Sequence, residues 1–226
     1  MTYKHHQRQT IIIGGITLTF ILEIFLSLFF TQLLGQTSLT GGSIFFYSRL
    51  YCWLSLILIY LYSSKVERRN FLIWTEKKYS LKYYLKSIIL TFTLVIATLF
   101  FIGIIIKPYN IIQINNRTEE IFQIFRINKP LVIFTSLTAA ITEELIYRGY
   151  LMTRLKLLLK NNYIPILLSS FFFGIAHLGS ESITRIIIVF IIGLILALHY
   201  QYYRNIKILI IVHFLWDLSI ITLTIM

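Results

Sequence analysis

Charge is scarce in this chain. Only 13% of its 226 residues are Asp, Glu, Lys or Arg, against 57% hydrophobic, where a water-soluble domain is about a quarter charged and about half apolar. That excludes an ordinary soluble domain. It also excludes intrinsic disorder, which needs low hydrophobicity and high charge. Three prolines and ten glycines rule out a collagen-like or low-complexity chain. Cys52 is the single cysteine, so no internal disulfide can form. Acidic residues are scarcer still, nine against 21 Lys and Arg, for a formal net charge of +12. In a soluble protein that surplus would suggest a nucleic-acid surface. Here the basic residues fall between apolar runs, as membrane topology signals do. No RNP-like motif, zinc-finger spacing or Gly-rich phosphate loop accompanies them, so the expected partner is the lipid bilayer and not nucleic acid.

Seven apolar runs are present, at 10–34, 43–62, 87–106, 130–147, 163–177, 186–203 and 208–226. A bilayer core takes about 20 apolar residues of helix, and most runs meet that. The run 163–177 is short, as expected of a tilted or re-entrant helix enclosed by its neighbours. The first run is too long for a signal-peptide core and lacks a small-residue cleavage site, so it reads as retained. The expected fold is therefore all-α, a polytopic membrane helix bundle of about seven transmembrane segments. Placing the N-terminus inside puts 15 of the 21 basic residues on the cytoplasmic side, among them Lys65, Arg68, Arg69, Arg148, Arg154, Arg204 and Lys207. The other six are Arg49, Lys107, Arg117, Arg126, Lys129 and Arg185. Residues 66–86 interleave Trp74, Tyr79, Tyr83 and Tyr84 with basic residues, as in a headgroup-level belt. In 119–128, Ile121, Phe122, Ile124, Phe125 and Ile127 alternate with Glu120, Gln123 and Arg126, which suits a helix in the membrane interface or a loop packed on the bundle. Two regions follow: 1–129, with N-terminal helices, a basic cytoplasmic loop and this interfacial segment, and 130–226, a helix bundle carrying the chemistry.

Ionisable groups within the apolar runs are the informative exceptions, since each costs about 3 kcal/mol near a helix centre on insertion scales. They concentrate in the C-terminal half: Glu143, Glu144 and Arg148, then His177, then His213 and Asp217. Glu23, in the first run, is assigned no role, and His199 near Arg204 reads as interfacial. Glu144 and Arg148 are i,i+4 with the acid first, the favourable order for a pair on one helix face. Glu143 is rotated from Glu144 by about 100°, so one carboxylate can pair with Arg148 while the other points elsewhere. Phe173 and His177 are also i,i+4, as are His213 and Asp217. No Ser or Cys sits beside a base in a nucleophile motif, and HExxH is absent. Glutamate with histidines suggests water activation, by a carboxylate general base or by a metal that acidifies bound water. A second imidazole with a polar neighbour could stabilise an oxyanion. The implied reaction is hydrolysis of an amide or ester at membrane depth.

EELIYR at 143–148, FGIAH at 173–177 and HFLWD at 213–217 match, in order, the EExxxR, FxxxH and HxxxN/D motifs of one family. Over residues 130–226 the chain resembles the CPBP family, the CAAX proteases and bacteriocin-processing enzymes also called Abi. The resemblance implies an intramembrane endopeptidase in which Glu143 and His177 activate water. It further implies that Glu144 pairs with Arg148, that Phe173 lines the site, and that His213 and Asp217 stabilise the oxyanion. In the family's metalloprotease reading, Glu143, His177 and His213 hold a divalent metal such as zinc. Asp217 stands where Asn is usual, and an ionised Asp needs neutralising by His213, a proton or a metal. The expected substrate is a membrane-associated peptide or protein tail. The alternative is a non-catalytic membrane regulator or bacteriocin self-immunity protein acting on a partner such as a sensor kinase. The Ile- and Lys-rich, cysteine-poor composition suggests a bacterial plasma membrane.

Overall fold

A computed structural model describes residues 2–35, 41–106, 116–177 and 183–226. Among these, every regular element is helical. Helix α1 (Thr2–Gly35) lies against α2 (Gly41–Leu61), which runs on through a π-turn at Tyr62–Val66. Helix α3 (Leu81–Ile106) packs on α8 (Ile183–Tyr203) and α9 (Ile206–Ile225). Helix α4 (Asn116–Ile127) is short and leads into α5 (Lys129–Glu143). A π-helical stretch, Glu144–Met152, joins α5 to α6 (Thr153–Leu159), so that one 31-residue rod spans Lys129–Leu159. Helix α7 (Ile164–Ile175) completes the bundle, paired with α8.

Beside an apolar core, small polar residues are buried where helices meet, while apolar side chains of the outer helices point outward, as a lipid solvent allows. Ile89, Leu90, Phe100 and Phe101 of α3 are each more than 60% exposed, whereas Thr135, Ser136, Thr138, Ala139, Ala140 and Thr142 of α5 are all buried. Small and hydroxylated side chains let helix backbones approach closely and bond across the contact, as the Trp53 indole does in donating to Thr138 Oγ1 at 3.2 Å. The rod Lys129–Leu159 is the central element: 56% of its apolar window is buried, against 17% for α2 and α3. It is the rod that carries Glu143, Glu144 and Arg148. Each of the three apolar clusters of the core includes residues from it.

Among the described residues five helices are long and apolar enough to cross a membrane, which supports the multi-pass reading and does not confirm the expected count of about seven. The short run 163–177 forms α7, whose 12 residues give only about 18 Å of helix, and α1 is not among the five. Two further expectations change, for the buried arginines and for His199. Arg148 and Arg154, counted as cytoplasmic loop charges, are fully buried, while Arg49 lies in α2, within the run 43–62 where the sequence placed it. Lys107 lies outside the described residues, as does the side chain of Arg117. The segment 119–128 is helical and packs on the bundle through the buried Phe125, although Ile127 stays 80% exposed. His199 is buried, bonded to Ser87 of α3 at 2.8 Å, so it joins two helices and does not sit at the interface.

The aromatic-basic segment is docked, not free. Its Trp74 lies 5.2 Å from Tyr200, with Lys156 and Arg204 over its ring. Glu76 accepts from Tyr200 Oη and the Ile206 amide at the start of α9. Asn205 caps the same helix, accepting from the Ile208 amide at 3.2 Å while donating to Lys77 O and Tyr84 Oη.

Candidate active site

Glu144 is the fixed point of the site. It is wholly buried, and its Oε1 accepts from Arg148 Nη1 at 2.9 Å and His213 Nδ1 at 2.8 Å. Arg148 is equally buried. Its Nη2 donates to Gly193 O at 3.3 Å, and its guanidinium lies 4.2 Å above the Phe173 ring. A Cβ at Gly193 would sit 3.2 Å from both Arg148 Nη2 and Phe173 Cδ1, so this glycine is what lets α8 come close. Phe173 is 3% exposed and meets Tyr147, His177 and His213 edge-on, at 5.1, 5.1 and 6.1 Å between centroids. One Glu–Arg pair and one phenyl ring thus set the spacing of three helices.

The reactive groups hang on this frame. The Glu143 carboxylate is 21% exposed, and its Oε2 lies 3.8 Å from His213 Nε2. The Asp217 carboxylate lies 3.6 Å from the same nitrogen. His177 stands just past the end of α7, where its Nδ1 is 2.9 Å from Phe173 O. A carbonyl only accepts, so Nδ1 carries a proton and donates it to Phe173 O, which leaves Nε2 as the nitrogen that can act in the cavity. The shortness of α7 is what brings a polar helix end, and this histidine, to the wall of a cavity within the bundle.

Two cavities meet at His177. The first, 180 Å³, is lined by Glu143 and His177 together with Glu23 of α1 and Arg49, Tyr51 and Cys52 of α2. The second, 420 Å³, is largely apolar and lies among α3, α4, α8 and α9. His177, Arg185 and Asp217 line it beside Leu99, Phe122 and Trp216. All seven predicted site residues therefore fall in one region, but with distinct placements. Glu143 and His177 face the first cavity, Asp217 faces the second, and His213 is buried between the two carboxylates. Sequence reasoning missed Glu23, Arg49 and Cys52. The available signal was that Glu23 and Arg49 are charges inside apolar runs, where each needs an explanation.

The donor set does not form a metal site. Among the described residues no three His, Cys, Asp or Glu side chains converge on one point. His213 Nδ1 bonds Glu144 and His177 Nδ1 a backbone carbonyl, contacts that orient both rings and leave each Nε2 available; it is the lack of convergence that leaves no position for an ion.

Residues 126–219 match the family model described as Rce1-like, type II CAAX prenyl endopeptidase. Over this segment the chain is similar to the CAAX-protease family. The Rce1-like region begins at Arg126, near the end of α4, and contains all three motifs, from Glu143 to Asp217. No curated protein and no solved structure matches the chain. The Rce1-like region does not enclose the first cavity by itself, since Glu23, Arg49 and Cys52 come from helices that precede it.

Proposed function

We propose that the chain is an intramembrane endopeptidase that hydrolyses a peptide bond in a membrane-associated peptide or protein tail. The observation that carries this reading is the placement of Glu143 and His177 on one cavity, with His213 Nε2 3.8 Å from the Glu143 carboxylate. In the proposed reaction, Glu143 takes a proton from water as the water oxygen attacks the scissile carbonyl carbon. The His177 Nε2 lone pair accepts the second water hydrogen and fixes the attack direction. The carbonyl oxygen becomes an oxyanion, which His213 stabilises through its Nε2 proton while Nδ1–H stays on Glu144. The tetrahedral carbon then expels the amine, which receives the proton held by Glu143. Asp217, 3.6 Å from His213 Nε2, sits beside the second cavity and balances the imidazole charge, which accounts for an acid at the position where Asn is usual.

The apolar cavity bordering His177 and Asp217 supports a substrate that approaches from the bilayer with an apolar flank. With the buried Arg148 and Arg154 set aside, the excess of Lys and Arg in alternate loops supports an N-terminus on the cytoplasmic side, and the Ile- and Lys-rich, cysteine-poor composition supports a bacterial plasma membrane. The test is cleavage of short apolar peptides by the full chain in proteoliposomes. Glu143→Gln and His177→Gln should each lower kcat by at least about 100-fold, the usual share of a general base, with unchanged thermal unfolding. Cleavage by Glu143→Gln at the wild-type rate would contradict the assignment. Full activity after exhaustive chelation is also expected, and loss restored by zinc would replace the carboxylate-base mechanism with a metal one.

A further inference from the structure

We propose that Arg49 anchors a carboxylate of the substrate inside the cavity that holds Glu143 and His177. Arg49 is the only Lys or Arg among the residues lining the 180 Å³ cavity, which it shares with Glu143 and His177. Its Nε is buried without a hydrogen-bond partner, and among the described residues it forms no ion pair. Arg49 as a whole is half-buried, and the two fully buried arginines differ from it. Arg148 and Arg154 are each paired with a carboxylate, at 2.9 and 2.8 Å. Arg49 is held in place instead by aromatic rings, its guanidinium lying 5.0 Å from the Phe45 centroid and 5.7 Å from that of Tyr51.

An aromatic cradle steadies a guanidinium without using its N–H groups. The planar fork remains free for a two-point contact, and its best complement is a carboxylate. The cavity also presents Glu23, whose Oε1 is buried and unpartnered, and Glu143. An incoming anion beside two carboxylates needs a cation, and Arg49 supplies it. The carboxylate can be a free C-terminus or an Asp or Glu side chain. This inference rests on the endopeptidase reading for what the cavity holds, but its test does not require cleavage.

The experiment uses the full chain carrying Glu143→Gln in lipid nanodiscs, with Arg49 intact or changed to Gln or Lys. Binding of a fluorescent apolar hexapeptide is measured by anisotropy with the peptide as free acid, as C-terminal amide, and as amide with a Glu near its end. The free acid should bind about 10- to 100-fold more tightly than the plain amide, the range for a hydrogen bond to a charged group. Arg49→Gln should remove that preference by weakening the acid alone, and Arg49→Lys should keep part of it. If the Glu-bearing amide binds like the acid, the anchor accepts side-chain carboxylates. If it binds like the plain amide, the anchor reads the C-terminus. Equal binding of acid and amide, no binding of any peptide, or an acid preference that survives Arg49→Gln overturns the proposal. Should Arg49→Gln fail to fold, Arg49→Lys carries the test, and an undiminished acid preference there counts against the two-point contact. Failure of the endopeptidase reading registers separately, as a bound peptide that the Glu143-intact protein does not cut.

Discussion

At the scale of single residues, the two adjacent glutamates carry opposite demands. Glu144 is wholly buried with two donors on one oxygen, whereas Glu143 is partly exposed, with His213 Nε2 3.8 Å from its carboxylate. Glu143→Gln should therefore leave thermal unfolding in detergent unchanged while removing activity. Arg148→Ala should lower stability by about 3–5 kcal/mol, because it strips a buried carboxylate of its cation. Replacing Glu144 and Arg148 together by apolar residues should recover part of that loss but no activity, since His213 then lacks the acceptor that orients it. Equal melting of wild type and Arg148→Ala would contradict the buried pair. The Glu144–Arg148 pair was legible in the sequence because i,i+4 spacing fixes which side chains share a helix face. That His213 would bond to Glu144, 69 residues away, was not legible, because no local pattern encodes a contact between two helices.

At the scale of elements, the site depends on two irregularities: a helix that stops inside the bundle and a glycine that admits α8. Gly193→Leu should disrupt the Arg148–Phe173 stack, since even a Cβ there meets three side-chain atoms at 3.2–3.3 Å. The expected result is a lower unfolding temperature and lost activity, and wild-type values would argue against the close approach. Helix α2 supplies a cavity wall, and Cys52 is its chemical handle. A small thiol-specific reagent should block cleavage by wild type and spare Cys52→Ala, and protection of both or neither would misplace α2. The sequence indicated helices from run length, and it read the short run 163–177 as a segment that stops mid-membrane. It could not show that α1 and α2 close the first cavity, because their charged residues lie 94 or more positions before Glu143, with no spacing rule to link them.

At the scale of the whole molecule, the loop after α2 is tied to the central rod by a second buried network, which charge counting misread. Arg154 donates to Glu67 Oε2 through Nε and Nη2 at 3.0 and 2.8 Å, and to Ser63 Oγ at 2.7 Å. It also bonds the carbonyls of Asn70 and Phe71. Tyr150 donates to Glu67 Oε1 at 2.7 Å. Glu67→Ala should destabilise the entire bundle by several kcal/mol, because it leaves a buried guanidinium uncompensated, and an unfolding curve unchanged from wild type would refute that. A positive-inside count treats every Lys and Arg as solvated, and composition alone cannot separate a topology signal from a buried clamp. The central claim is that Glu143 makes this chain a protease. The most direct test is mass spectrometry of the peptides released and retained by the native host, comparing wild type with Glu143→Gln at matched expression. The account predicts that one mature peptide disappears while its precursor accumulates. Identical peptide profiles in the two strains would contradict it.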